Sequence, residues 1–122
     1  MLYNKHWDTK VEPVLDEVGQ IMWKAADYLE THKWGKGDFI LANGAVCLMG
    51  ALMKIETGNV YSYYKNSVKH EGNMCPIADM AIIRIQEYLK LTHQGDVYEW
   101  NDDDNRRKSE VIAVLRDAAK LK

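Results

Sequence analysis

Apolar residues recur at helical spacing in several stretches of this chain, and each stretch is bounded by residues that start or stop helices. Val14, Leu15, Val18, Met22, Ala25 and Leu29 share one face, and Asp16, Glu17, Gln20, Lys24 and Asp27 occupy the other. Pro13 stands where a first helical turn tolerates a missing N–H. The glycines of Trp34-Gly35-Lys36-Gly37 predict the stop. A second helix is predicted from about Val46 to Glu56, ending at Thr57-Gly58-Asn59. Behind Pro76, the face Ile77, Ala81, Ile82, Ile85, Tyr88 and Leu89 predicts a third helix, closed by Gln94-Gly95. Val111, Val114, Leu115, Ala118 and Ala119 make the inner face of a last helix from about Asn105 to Leu121.

Between the first two helices the pattern changes. Phe39-Ile40-Leu41-Ala42 and Ala45-Val46-Cys47 flank Asn43-Gly44, a pair that supplies the two positive φ angles of a type I′ turn. A small β-hairpin near residues 39–47 is therefore expected. Residues 60–75 read equally as a short helix or a packed loop, and residues 1–10 as an N-terminal arm. The expected fold class is mainly α: one compact domain over 1–122, with four to five helices and that hairpin.

Composition narrows the function classes. A chain of 122 residues fits one domain and can bury a core without metal or disulfide staples. No stretch is apolar enough for a transmembrane span, and the start lacks a signal-peptide core, so a cytoplasmic protein is expected. Two cysteines, Cys47 and Cys75, read as a reduced pair. A net charge of -2 argues against general attraction to nucleic acid or anionic membrane.

Candidate chemistry is sparse. Cys47 is predicted at a helix N-terminus, where the dipole favours thiolate. A nucleophile needs a base, which His93 or His70 would supply, with Asn101 or Asp102 orienting the ring. The alternative is a small buried residue packed against Gly50 and Ala51. Those two small residues predict a close approach by a backbone or by a ring such as Trp34 or Trp100. Trp100-Asn101-Asp102-Asp103-Asp104 is predicted to cap the last helix, with Trp100 packing back on it. The acidic run lacks the alternating ligands of a calcium loop, and C-x-x-C is absent, so no metal and no cofactor is expected. Arg106 offers planar donors for an anion. Tyr61, Tyr63 and Tyr64, beside Lys65 and Lys69, suit a partner surface or a packed loop.

Two motifs stand out in sequence order. Trp34-x-x-Gly37 leads through a turn at Gly44 to Cys47-x-x-Gly50-Ala51-Leu52. After a variable middle, Trp100-Asn101-Asp102-x-x-x-Arg106 precedes a helix with Val111 and Leu115. Over about residues 14–120 this order is similar to a family of small proteins of unknown function from bacteriophages and bacteria, especially actinobacteria. The chain departs from that pattern at Lys33, where the family usually has Gly. It departs again at Asp104-Asn105-Arg106-Arg107, where the family usually has a Pro-Gly-Arg-Thr-like step. The resemblance implies a phage or prokaryotic origin and no particular reaction.

Three functional readings follow. The first is a non-enzymatic binder, a small phage-type accessory protein. It would block a host protein or sequester a small anionic signal, as a host-defence antagonist does. Its expected binding residues are Trp34, Cys47, Trp100, Asn101, Asp102, Arg106, Tyr61, Tyr63 and Tyr64. The second is a cysteine-dependent enzyme using Cys47. The third is a structural module that forms a homo-oligomer.

Overall fold

The computed structural model describes residues 14–60, 62 and 75–121. Five helices occur among them: α1 (Glu17–Thr31), α2 (Leu48–Thr57), α3 (Pro76–Leu89), α4 (Gly95–Asp102) and α5 (Lys108–Ala119). The apolar face read from the sequence places α1 in the middle, packed on α5, α2 and α3. Met22, Ala25, Ala26 and Leu29 of α1 are fully buried in one core with Leu52, Ile82, Ile85, Val97, Val111 and Leu115. Val14, at the outer end of that pattern, is 90% exposed. The helix begins only at Asp16, whose Oδ1 accepts the Gly19 N–H at 2.8 Å, while Glu17 adds favourable charge to the first turn.

Ion pairs fix the outer rims of this core. Arg84 of α3 donates to both oxygens of Asp16, at 2.9 and 2.6 Å, and so ties α3 to the start of α1. Arg116 of α5 reaches Asp27 and Glu30 of α1, each at 2.6 Å. These groups are partly exposed, so they orient the helices more than they stabilise them.

Helix ends explain where the boundaries differ from the sequence pattern. Helix α2 stops as expected, at Gly58 in the left-handed region. Helix α3 opens at Pro76, but its cap residue Cys75 makes no side-chain cap bond. The capping is done across the fold by Glu56 of α2, whose carboxylate accepts from Ile77 N at 3.1 Å and Ala78 N at 2.7 Å. Glu56→Ala is therefore expected to cost about 1–2 kcal/mol, as loss of a helix cap does. Urea unfolding should show it, with Glu56→Gln intermediate because one amide oxygen still accepts.

Helix α3 ends at Lys90, which takes the left-handed conformation with φ 58 and lets the Leu91 N–H reach the Gln86 carbonyl at 2.9 Å. Gln94-Gly95, the predicted stop of this helix, instead leads into α4. Trp100, Asn101 and Asp102 are thus the last turn of α4 and not the cap of α5. Helix α5 starts at Lys108, later than Asn105, because Arg107 is the cap residue and its N–H donates to Glu110 Oε1 at 2.8 Å.

The hairpin is corrected. Residues 39–47 hold one antiparallel bridge, between Ile40 and Val46, flanked by bonds from Leu41 N–H to Ala45 O and from Cys47 N–H to Phe39 O; a parallel bridge joins Val46 to Trp34, and no strand forms among the described residues. Gly44 has positive φ and Asn43 does not, so the type I′ geometry is absent. Asn43 uses its side chain instead, accepting the Ala45 N–H at 2.9 Å. Val46 is bonded on both sides of Trp34, its N–H donating to Lys33 O and its carbonyl accepting from the Gly35 N–H. Trp34 and the start of α2 are drawn together by this pairing.

Candidate functional site

The two sequence motifs meet in space at Asn101. This side chain is 2% exposed and sits in the last turn of α4. Its Oδ1 accepts from the Trp34 indole Nε1 at 2.8 Å and from Leu48 N at 3.1 Å. Its Nδ2 donates to Gly35 O at 3.3 Å and to Asp102 Oδ1 at 2.9 Å. A buried amide needs such partners, and every one comes from a motif segment or its neighbour. Asp102 continues the link, since its Oδ1 also accepts the Gly37 N–H at 3.1 Å. Lys36 donates to the Asp103 carbonyl and lies 5.4 Å above the Trp34 ring.

Arg106 closes the other side. Its guanidinium carbon lies 3.9 Å from the Trp100 ring centroid, Nε donates to the Trp100 carbonyl at 2.8 Å, and Nη1 is 3.5 Å from Glu110. Arg106 thus clamps the α4–α5 turn. Its Nε and Nη1 are engaged within the protein. Trp100 is held under this guanidinium and packs against the core.

Cys47 caps α2, with Sγ accepting from Gly50 N at 3.4 Å. The close approach foreseen at Gly50 is made by the Phe39 carbonyl, not by a tryptophan ring. The helix position was expected to favour thiolate. Burial does the opposite and pushes the thiol up to about 11, over the opposing pull of the Gly50 and Met49 N–H groups, and the charge of Asp102 adds to the rise. Among the described histidines none bonds to Cys47. His93 bonds through its backbone to Asp96, His32 stacks on Tyr28, and His70 lies outside the described residues.

The raised thiol has a stability consequence. Between the ordinary value of 9.0 and about 11, the unfolded chain releases this proton while the folded protein keeps it. Stability is therefore full below about pH 9 and falls as pH rises toward 11, by at most roughly 2–3 kcal/mol for Cys47. Tyr98, pushed up to about 12 by burial first and then by Asp79 and Cys47, acts in the same direction at higher pH. Cys47→Ser retains a capping oxygen and should flatten the loss between pH 9 and 11 in urea titrations. An unchanged slope would show that other groups govern it.

Beside Asn101 lies a cavity of about 300 Å³, lined by Gly37, Asp38, Phe39, Cys47, Leu48, Met49, Tyr98, Asn101 and Asp102. Of the residues expected to form a site, Cys47, Asn101 and Asp102 line it. Trp34, Trp100 and Arg106 buttress the segments that form it. Tyr61, Tyr63 and Tyr64 lie outside the described residues. The sequence reading missed Phe39 and Tyr98, whose rings stand 6.1 Å apart at 58°. Tyr98 lies two residues before Trp100, so an aromatic repeat on a short helix was its only signal. Among the described residues no group of three His, Cys, Asp or Glu could hold a metal ion, and no helix is long and apolar enough to cross a membrane.

No curated protein and no solved structure matches this chain. The model of one family does match, over residues 13–121, which takes in both motifs and all five helices. The chain belongs to that family, a family of unknown function (DUF6197).

Proposed function

We propose that this protein is a non-enzymatic binder whose site is the cavity beside Asn101. The supporting observation is convergence: the Trp34, Cys47 and Trp100-Asn101-Asp102 segments are bonded to one another around a concave, mainly apolar space. The volume is at the low end of the roughly 300–1,000 Å³ seen for ligand pockets, which suits a small molecule or a single side chain of a partner. Trp34, Asn101 and Arg106 act in this reading by holding the walls. Asp38 and Asp102 in the lining favour a neutral or cationic occupant over the anionic signal expected from the sequence. A buried, protonated Cys47 with no described histidine bonded to it is a poor nucleophile, which favours binding over cysteine catalysis. Action on a host factor as a phage-type accessory protein, in the host cytoplasm, is part of the same proposal and rests on the family resemblance.

The test is native mass spectrometry of protein purified from cells, compared with its denatured mass. An excess mass carried by the wild type and lost in Tyr98→Ala is expected. An apo mass, together with no perturbation of Phe39 or Tyr98 ring signals by a small-molecule fragment set, would sink the cavity as a site.

A second reading, self-association, is favoured by a separate observation. Met80 and Ile83 on the outer side of α3 are 55% and 42% exposed, and with Leu121, at 41%, they line a shallow groove over Arg84 and Glu87. A second copy would bury this patch. Sedimentation equilibrium of wild type against Ile83→Lys decides it: a monomer in both ends the reading.

A further inference from the structure

We propose that the cavity beside Asn101 receives a small organic ammonium ion, a positively charged nitrogen on a short apolar stem. This rests on the cavity being the binding site and adds the chemical class of its ligand. Three features of the lining converge on that class.

The first is charge. Asp38 and Asp102 are the carboxylates of the lining, Asp38 accepting from the Ser62 hydroxyl and the Phe39 N–H, and no basic residue lines it among the described residues. Asp102 is exposed and uses Oδ1 for Gly37 N and Asn101 Nδ2, while its Oδ2 accepts no hydrogen bond from the described residues. Lys36, the cation of the adjoining loop, is engaged with Asp103 and the Trp34 ring. The negative field reaches the cavity walls: beyond burial, which comes first, Asp102 raises the Cys47 thiol and Asp79 raises the Tyr98 phenol.

The second feature is aromatic. Phe39 and Tyr98 both line the space as a tilted pair, and an aromatic ring attracts a cation, the more so when water is excluded. The third is the remaining wall of Cys47, Leu48 and Met49, all buried, which gives an alkyl stem an apolar surface. A carboxylate or phosphate ligand would meet like charge in the same place, and a purely apolar ligand would leave the carboxylate side unused.

The test compares three probes of matched size, n-butylammonium, n-butanol and butyrate, titrated against the intact chain while the Phe39 and Tyr98 ring resonances are followed by NMR. Butylammonium is expected to bind roughly tenfold tighter than butanol, with butyrate weakest. Asp102→Asn keeps an oxygen for the Gly37 N–H and removes the charge. It should lower butylammonium affinity by about tenfold and leave butanol affinity unchanged, a pattern that misfolding would not produce. Butanol or butyrate binding as tightly as butylammonium, or an unaltered preference in Asp102→Asn, would overturn the ammonium assignment and leave the cavity standing as a site. Ring signals that respond to none of the three would overturn both.

Discussion

Asn101→Ala is expected to lower stability by about 3–4 kcal/mol, a large part of the 5–15 kcal/mol typical of a domain. The reasoning is an account of orphaned groups. Removing the amide strips the acceptor from the Trp34 indole N–H and from the Leu48 N–H at the start of α2, and the donor from the Gly35 carbonyl. Leu48 is 1% exposed, so water does not readily replace its lost partner, whereas half-buried Trp34 regains part of its loss. Each unsatisfied buried group costs about 1–3 kcal/mol, and the side-chain volume lost adds to that. A thermal midpoint roughly 10–15 °C lower should accompany the change in a chain of this size.

Asn101→Asp separates hydrogen bonding from packing. The new carboxyl keeps the acceptor for Trp34 and Leu48. It also places negative charge against the Gly35 carbonyl and the Asp102 carboxylate, which lie 3.3 and 2.9 Å from the present amide nitrogen. Two carboxyl groups so close hold a proton more tightly when folded than when unfolded. The variant should thus be most stable in acid, below the ordinary carboxylate range near pH 4, and lose that stability as pH rises toward neutrality. Chemical denaturation of both variants from pH 4 to 8 checks this. A loss below 1 kcal/mol for Asn101→Ala, or a pH-independent Asn101→Asp, would show that the convergence at Asn101 is not what holds the motifs together.

Gly50→Ala should also destabilise, by about 2–3 kcal/mol, even though alanine is the better helix former by about 1 kcal/mol. Gly50 lies in the first turn of α2. A β-carbon there would collide with the Phe39 carbonyl and come within 3.1 Å of the Val46 β-carbon. The obstacle is backbone, and that carbonyl already accepts the Cys47 N–H at 3.3 Å, so it cannot withdraw without loosening the start of the helix. Gly50→Val should cost more. Gly95→Ala is the control: it stands at the first position of α4, nothing lies within 4 Å of its would-be β-carbon, and the change should be neutral or stabilising by a few tenths of a kcal/mol. Because Phe39 lines the cavity, Gly50→Ala should shift the Phe39 and Tyr98 ring signals as well, which Gly95→Ala should not. A Gly50→Ala protein as stable as wild type would refute the backbone clash as the reason for glycine.

What the sequence determined by itself is the set of amphipathic faces. Periodicity finds most of the buried face of α1, α3 and α5, because a face repeating every 3.6 residues has one way to leave water, but it also takes in Val14 and Tyr88, which are exposed, and passes over Ala26 and Ala78, which are buried. Gly58 and Pro76 likewise mark helix ends through local backbone chemistry. Other boundaries were decided by groups far away in sequence or by an unfavoured conformation. Glu56 caps α3 from twenty-one and twenty-two residues off. Lys90 takes a left-handed angle more often given to glycine, and so frees Gln94-Gly95 to lead into α4. Around Asn43-Gly44 the flanks bond across the turn, Leu41 N–H to Ala45 O and Cys47 N–H to Phe39 O, but pairing stops at one antiparallel bridge because the N–H and carbonyl of Val46 go to Lys33 and Gly35.

The site divides in the same way. Trp34, Cys47 and Trp100-Asn101-Asp102 are conspicuous as residue types and spacings, but their roles depend on what stands opposite them. Asn101 is a cap-forming residue by local propensity, and tertiary structure makes it a buried four-bond junction. Cys47 gains the favourable dipole that its position implies, and burial outweighs it. Phe39 and Tyr98 become neighbours only when the loop before α2 folds against α4. Local sequence encodes which groups hydrogen-bond and which avoid water. Which groups meet, and the dielectric in which they do so, is a property of the packed core alone.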